Sequence, residues 1–177
     1  SLFSLREAER RNEHPAGMTP FEQFFTTATG GNAPYGYQCR LANDPECRSR
    51  LIEIPTGLGK TAAVALAWLG NRVINQRADG PRRLVYCLPM RTLGEQTAGE
   101  VKKWIESLLA DEKVVLALGD EAKAKLQWLD NHSPVVLMGG ESAREWDIHP
   151  EREAILIGTQ DMLLSRALNR GYGMSRY

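Results

Sequence analysis

The chain has 177 residues, 42% apolar and 25% charged, with 22 basic and 22 acidic side chains that cancel. That length supports one well-cored domain and excludes a complete two-lobed machine, while the charge balance excludes a global basic field as the means of holding nucleic acid. Cys39, Cys47 and Cys87 lack paired ligand spacing and read as reduced thiols of a cytoplasmic protein, and no apolar run has the length of a spanning helix.

Residues 1–34 are polar and broken by Pro15, Pro20, Gly30, Gly31 and Pro34, and they read as an N-terminal extension. Within them TPFEQFFTTA predicts a short helix, capped by Thr19 with Pro20 in the first turn, that docks through Phe21, Phe24 and Phe25. From Tyr35 onward, residues 35–177, strands alternate with helices. LIEI (51–54) predicts a strand, followed by a Gly-rich turn and a helix from Lys60 to Gln76. RLVYCL (83–88) predicts the next strand. The helix after it buries one face, because Val101, Trp104, Ile105, Leu108 and Leu109 recur at three-four spacing. VVLAL (114–118), VVLM (135–138) and AILIG (154–158) predict further strands, separated by helices at 120–130 and 161–169. Strands apolar on both faces and joined by helices imply an α/β fold, a mainly parallel sheet covered by helices on both sides.

PTGLGKT has the parts that a polyphosphate needs. Gly57 and Gly59 let the backbone amides of Thr56, Gly57, Leu58 and Gly59 turn inward. Lys60 reaches the β and γ phosphates, Thr61 holds magnesium, and the helix N-terminus favours the anion. The strict GxxxxGK[ST] pattern asks for Gly at position 54, where this chain has Ile54, and nucleotide kinases usually keep that glycine. Three later landmarks fall at strand ends. LPMRTLGEQT places Arg91, Thr92 and a new helix start off the sheet's carboxyl edge, suited to a phosphate backbone; LMGGE ends a strand in Gly139 and Gly140; and IGTQDMLLSRAL puts Thr159 where strand becomes helix, a position that both caps and binds phosphate. His132 and His149 have no second ligand at metal spacing, and Trp146 reads as an anchor for a long loop.

The ordered series PTGLGKT, LPMRTLGEQT, MGGE and IGTQDMLLSRAL resembles the first RecA-like lobe of superfamily-two helicases. More narrowly it is similar to the CRISPR-associated helicase-nuclease of type I systems, especially a type I-G/I-U-like subtype, through GTQDMLLSRALNRGYGMSRY. The resemblance covers about residues 19–177. It implies a RecA-like P-loop fold, ATP and Mg2+ as cofactors, and ATP-driven movement along single-stranded DNA. By the same resemblance, Gln38 in PYGYQ reads adenine, Lys60 and Thr61 serve catalysis, and Arg91, Thr92, Gly139, Gly140 and Thr159 hold the DNA backbone. The implied partners are an RNA-guided CRISPR surveillance complex, a second RecA-like lobe and a nuclease domain.

The family's acidic pair at a strand end has no counterpart here: Asp111-Glu112 and Asp120-Glu121 both read as helix ends and caps, and no His-Asp dipeptide occurs. The expectation is therefore a fragment, incomplete as a RecA-like domain, that binds ATP and by itself turns over little. Two other readings stay open from the residues alone: a small P-loop kinase, which the length permits, and a non-catalytic regulatory module of the same fold.

Overall fold

The computed structural model describes residues 17–46, 48–137 and 145–167. In chain order the elements are α1 (Pro20–Ala28), α2 (Gly36–Ala42), α3 (Lys60–Leu69), β1 (Arg83–Leu88), α4 (Arg91–Ala110), α5 (Glu112–Ala117), α6 (Asp120–His132), β2 (Val135–Leu137), α7 (Glu145–Ile148), β3 (Ala154–Thr159) and α8 (Gln160–Ala167). Among the described residues the sheet has three strands in the order β1-β3-β2. Both pairings are parallel, with Leu88 opposite Thr159 and Leu137 opposite Gly158. The central strand β3 is buried from Ala154 to Gly158, which is why its run is apolar without alternation.

Helix α1 starts where the sequence places it. Thr19 Oγ1 accepts from the Glu22 amide at 3.2 Å and Glu22 Oε2 accepts from the Thr19 amide at 2.6 Å, a reciprocal box that satisfies two otherwise orphaned donors. Phe24 and Phe25 then join Leu66 and Leu69 of α3, Ile105 and Leu108 of α4, Leu126 and Leu129 of α6, and Ile155 and Ile157 of β3 in one core. Val101, Ile105 and Leu108 form the buried stripe of α4, with Trp104 and Leu109 at its margin. Close helix-to-sheet packing depends on Gly94, where a Cβ would sit 3.4 Å from Val136 Cγ1.

The structure departs from the sequence expectations in three places. VVLAL forms α5, not a strand: Asp111 Oδ1 accepts from the amides of Lys113 at 2.9 Å and Val114 at 3.1 Å, and this cap starts a helix whose Leu116 is 84% exposed. A short apolar run carries no periodicity that separates strand from helix, so the cap decides. LIEI joins no strand ladder. Ile52 and Ile54 pack on Tyr37 and Ala63 instead, and a cavity lined by Ile52, Val64, Trp68 and Leu84 lies between that segment and β1. The helix from Lys60 is α-helical only to Leu69 and continues as one π turn, Gly70–Ile74, with Gln76 beyond it at φ 51°. Helices do lie on both faces of the sheet: Leu163 of α8 packs with Leu137, Ala154 and Leu156 opposite the main core, while the edge strand β1 keeps Val85 53% exposed and Cys87 exposed, in contrast to buried Cys39.

Candidate nucleotide site at the carboxyl edge of the sheet

Strands β1 and β3 end level with each other at Leu88 and Thr159, and helices α4 and α8 start just beyond, at Arg91 and Gln160. The loop from Ile54 to Thr61 lies beside this edge, with Thr61 Oγ1 3.0 Å from the Tyr86 hydroxyl of β1. Gly57 and Gly59 have φ of 91° and 72°, a region that costs a residue with a Cβ about 1–2 kcal/mol. Gly59 is the N-cap of α3, and its carbonyl accepts the first helical bond from the Ala63 amide at 2.9 Å. The helix behind it is buried from Ala62 to Leu69 except at Val64, so the loop rests on a rigid element whose positive dipole end faces it. Lys60 Nζ donates to the carbonyls of Ile54 at 2.8 Å and Pro55 at 2.9 Å, so the lysine reaches back from the end of the loop to its start.

A second layer lies behind the loop. Tyr37 of α2 is fully buried and its hydroxyl donates to the Leu58 carbonyl at 2.6 Å. Gln38, 1% exposed, donates from Nε2 to the Gly59 carbonyl at 3.0 Å and accepts at Oε1 from the Tyr35 amide at 2.8 Å. Gly59 is therefore required twice, by its φ and by space, because a Cβ there would lie 2.8 Å from Gln38 Nε2. Burial pushes the Tyr37 phenol up from 10.0 to about 12, which keeps it protonated and donating at any ordinary pH. The family resemblance implies that Gln38 reads adenine, and in the structure both ends of its amide are bonded to backbone, Oε1 to the Tyr35 amide and Nε2 to the Gly59 carbonyl. Tyr37 as a loop contact was not legible, since the contact spans 21 residues with no motif to announce it.

Of the residues assigned to DNA, Arg91 opens α4 and is exposed, with Nη2 4.0 Å from Met162 Sδ of α8. Thr92 is exposed beside it, and Thr159 is half-buried at the end of β3. These three share the sheet edge that also carries the phosphate loop. Gly139 and Gly140 lie outside the described residues, as do Arg170, Arg176 and the side chains of Trp146 and Arg166. Asp111 caps α5, and Asp120 and Glu121 occupy the first turn of α6, so both acidic pairs are helix-start residues. The His132 ring stacks on Trp128 at 3.7 Å with Nδ1 2.9 Å from the Trp128 carbonyl, and His149 Nδ1 lies 3.3 Å from Glu151 Oε1. No group of metal-ligating side chains is found among the described residues. No described helix is long and apolar enough to cross a membrane.

A Gly-rich loop that lies beside the carboxyl edge of a parallel sheet and opens into a buried helix defines a P-loop α/β domain. The DEAD/DEAH box helicase family model matches residues 41–172, well over half of the chain, and the chain belongs to that family. It thus carries a domain of the ATP-dependent, nucleic-acid helicase type. The match starts at Leu41, so Tyr37 and Gln38 stand just ahead of it. No curated protein and no solved structure matches the chain.

Proposed function

We propose that this chain is the ATP-binding lobe of a translocase that moves on single-stranded DNA and unwinds target DNA in CRISPR interference. The observation that carries the reading is the loop geometry: left-handed Gly57 and Gly59, then Lys60 and Thr61 in the first turn of α3, beside the edge that holds Arg91, Thr92 and Thr159. The loop fits ATP with Mg2+, since a Cβ on Gly57 meets nothing within 4 Å and the backbone there is open to close approach. The amides of Thr56, Gly57, Leu58 and Gly59 would hold the phosphates together with Lys60, and Thr61 would hold the ion; the bound pair supplies the hydrolysable bond and neutralises its charge. Lys60, which donates to two carbonyls in the structure, would hold phosphate oxygens in their place, since these are stronger, charged acceptors. Arg91, Thr92, Gly139, Gly140 and Thr159 are assigned to the sugar-phosphate backbone, a grip independent of sequence. The CRISPR setting and the partners, a guide complex, a second RecA-like lobe and a nuclease domain, rest on the resemblance carried by GTQDMLLSRALNRGYGMSRY.

The test is ATP hydrolysis by the intact protein with single-stranded DNA, duplex DNA or RNA added, and with a guide complex bound to target DNA. Single-stranded DNA and the loaded guide complex should raise the rate, and Lys60→Ala should abolish it. Stimulation by RNA alone would replace the DNA assignment, and phosphate transfer to a nucleoside would replace the helicase reading.

A further inference from the structure

We infer that Tyr37 is a positioning residue for the phosphate loop: its hydroxyl, by holding the Leu58 carbonyl, aims the Gly59 amide at the phosphate. The inference rests on the nucleotide reading above and deepens it. In a planar trans peptide the carbonyl and the following N–H point in opposite directions, so fixing one fixes the other. The Leu58 carbonyl points at α2, where Tyr37 donates to it at 2.6 Å, and the Gly59 N–H of the same peptide therefore points away from α2. The next peptide is fixed differently. The Gly59 carbonyl is already held by the Ala63 amide at 2.9 Å and by Gln38 Nε2 at 3.0 Å, which sets the direction of the Lys60 N–H through the helix itself. Tyr37 thus acts on the peptide that the helix does not reach.

That peptide also has a glycine on one side, where no Cβ limits its rotation. It joins Leu58 to Gly59 and follows Gly57, and both glycines have positive φ without a Cβ to restrict alternatives. A flip of this peptide would turn its carbonyl oxygen towards the anion and reverse the sign of the local dipole. The Tyr37 contact opposes the flip from a fully buried ring, stacked on Tyr35 at a centroid distance of 6.3 Å, so the donor itself has little freedom. With its proton retained to about pH 12, the phenol keeps the hydrogen that the Leu58 carbonyl accepts.

Tyr37→Phe keeps the ring and removes the donor. Binding of ATP, ADP and adenosine should be measured on the full chain for the wild type, Tyr37→Phe and Lys60→Ala. Tyr37→Phe should weaken ATP and ADP roughly three- to ten-fold, the range for one lost hydrogen bond, and leave adenosine unchanged. An equal drop for all three ligands marks a merely structural role and overturns the inference, as does no drop at all. Wild-type binding of ATP that is absent, or indifferent to Lys60→Ala, overturns the nucleotide reading and this inference with it, whereas normal Lys60 dependence with a silent Tyr37→Phe overturns the inference alone. Amide NMR of the wild type gives a check that needs no variant: inorganic triphosphate should shift the Gly59 amide, and a Gly59 amide that stays in place rejects the inference.

Discussion

Replacing Gly59 by Ala asks two things of the loop that the same change at Gly57 does not. Both positions have positive φ, 91° at Gly57 and 72° at Gly59, so both substitutions incur about 1–2 kcal/mol of backbone strain. At Gly57 the new methyl meets nothing within 4 Å, and the strain is the whole loss. At Gly59 the methyl would lie 2.8 Å from Gln38 Nε2, and the amide must move. Moving it breaks the bonds to the Gly59 carbonyl and the Tyr35 amide, about 1 kcal/mol each, in a residue only 1% exposed that cannot turn to water. The expected losses are about 1–2 kcal/mol for Gly57→Ala and about 3–4 kcal/mol for Gly59→Ala, the second a large share of a typical domain's stability. Urea unfolding followed by circular dichroism measures both. In a Gln38→Ala background the crowding disappears, and Gly59→Ala should fall back to the Gly57 value, a coupling that only direct contact produces. Equal losses at the two glycines, or additivity with Gln38→Ala, would refute the reasoning.

Two further outcomes follow from buried polar groups. Glu153, 5% exposed, lies 3.2 Å from Arg72 Nε and 3.8 Å from Lys125 Nζ; Glu153→Ala removes the carboxylate beside Arg72, while Lys125 keeps Glu121 at 2.7 Å, and should cost about 3 kcal/mol, with Glu153→Gln losing less because an acceptor remains. A loss below about 1 kcal/mol in the same urea assay would mean that water already screens the cluster. The Tyr37 phenol, raised from 10.0 to about 12 by burial, gives stability a defined alkaline limb. Because the folded protein holds this proton more tightly, its contribution is complete below the ordinary value and is lost as pH rises from 10.0 towards about 12. Tyr37→Phe should flatten that limb in a pH series of unfolding midpoints, and an unchanged slope would exclude Tyr37 as its source.

What the sequence reveals depends on how far apart the interacting residues are. The Thr19 cap, the α4 stripe and the Gly-Lys-Thr run are local patterns, and each is found where local physics puts it. VVLAL and LIEI depart from the strand expectation for one shared reason: four or five apolar residues satisfy a strand or the flank of a helix equally well. Asp111 settles the first through two cap bonds, and for the second Ile52 and Ile54 find burial on Tyr37 and Ala63 without a ladder. The role of Gln38 shows the limit on side-chain chemistry. An amide that both donates and accepts suits a base edge, and it suits two backbone groups of a nearby turn as well.

The backing that α2 gives the loop also changes what Gly59 means in the motif. In the sequence its role is conformational, a residue able to take positive φ. In the structure it is equally a surface that Gln38 covers, and Leu58, which carries no motif character, supplies through its carbonyl the handle for Tyr37. The loop is thus held from two directions, by α3 through the Ala63 bond and by α2 through two side chains. For the nucleotide site proposed here, preorganisation of this kind would keep amide dipoles aligned before the anion arrives, so that the free energy of binding is not spent on turning them. Displacement of α2 would then loosen the grip on phosphate without touching Lys60 or Thr61.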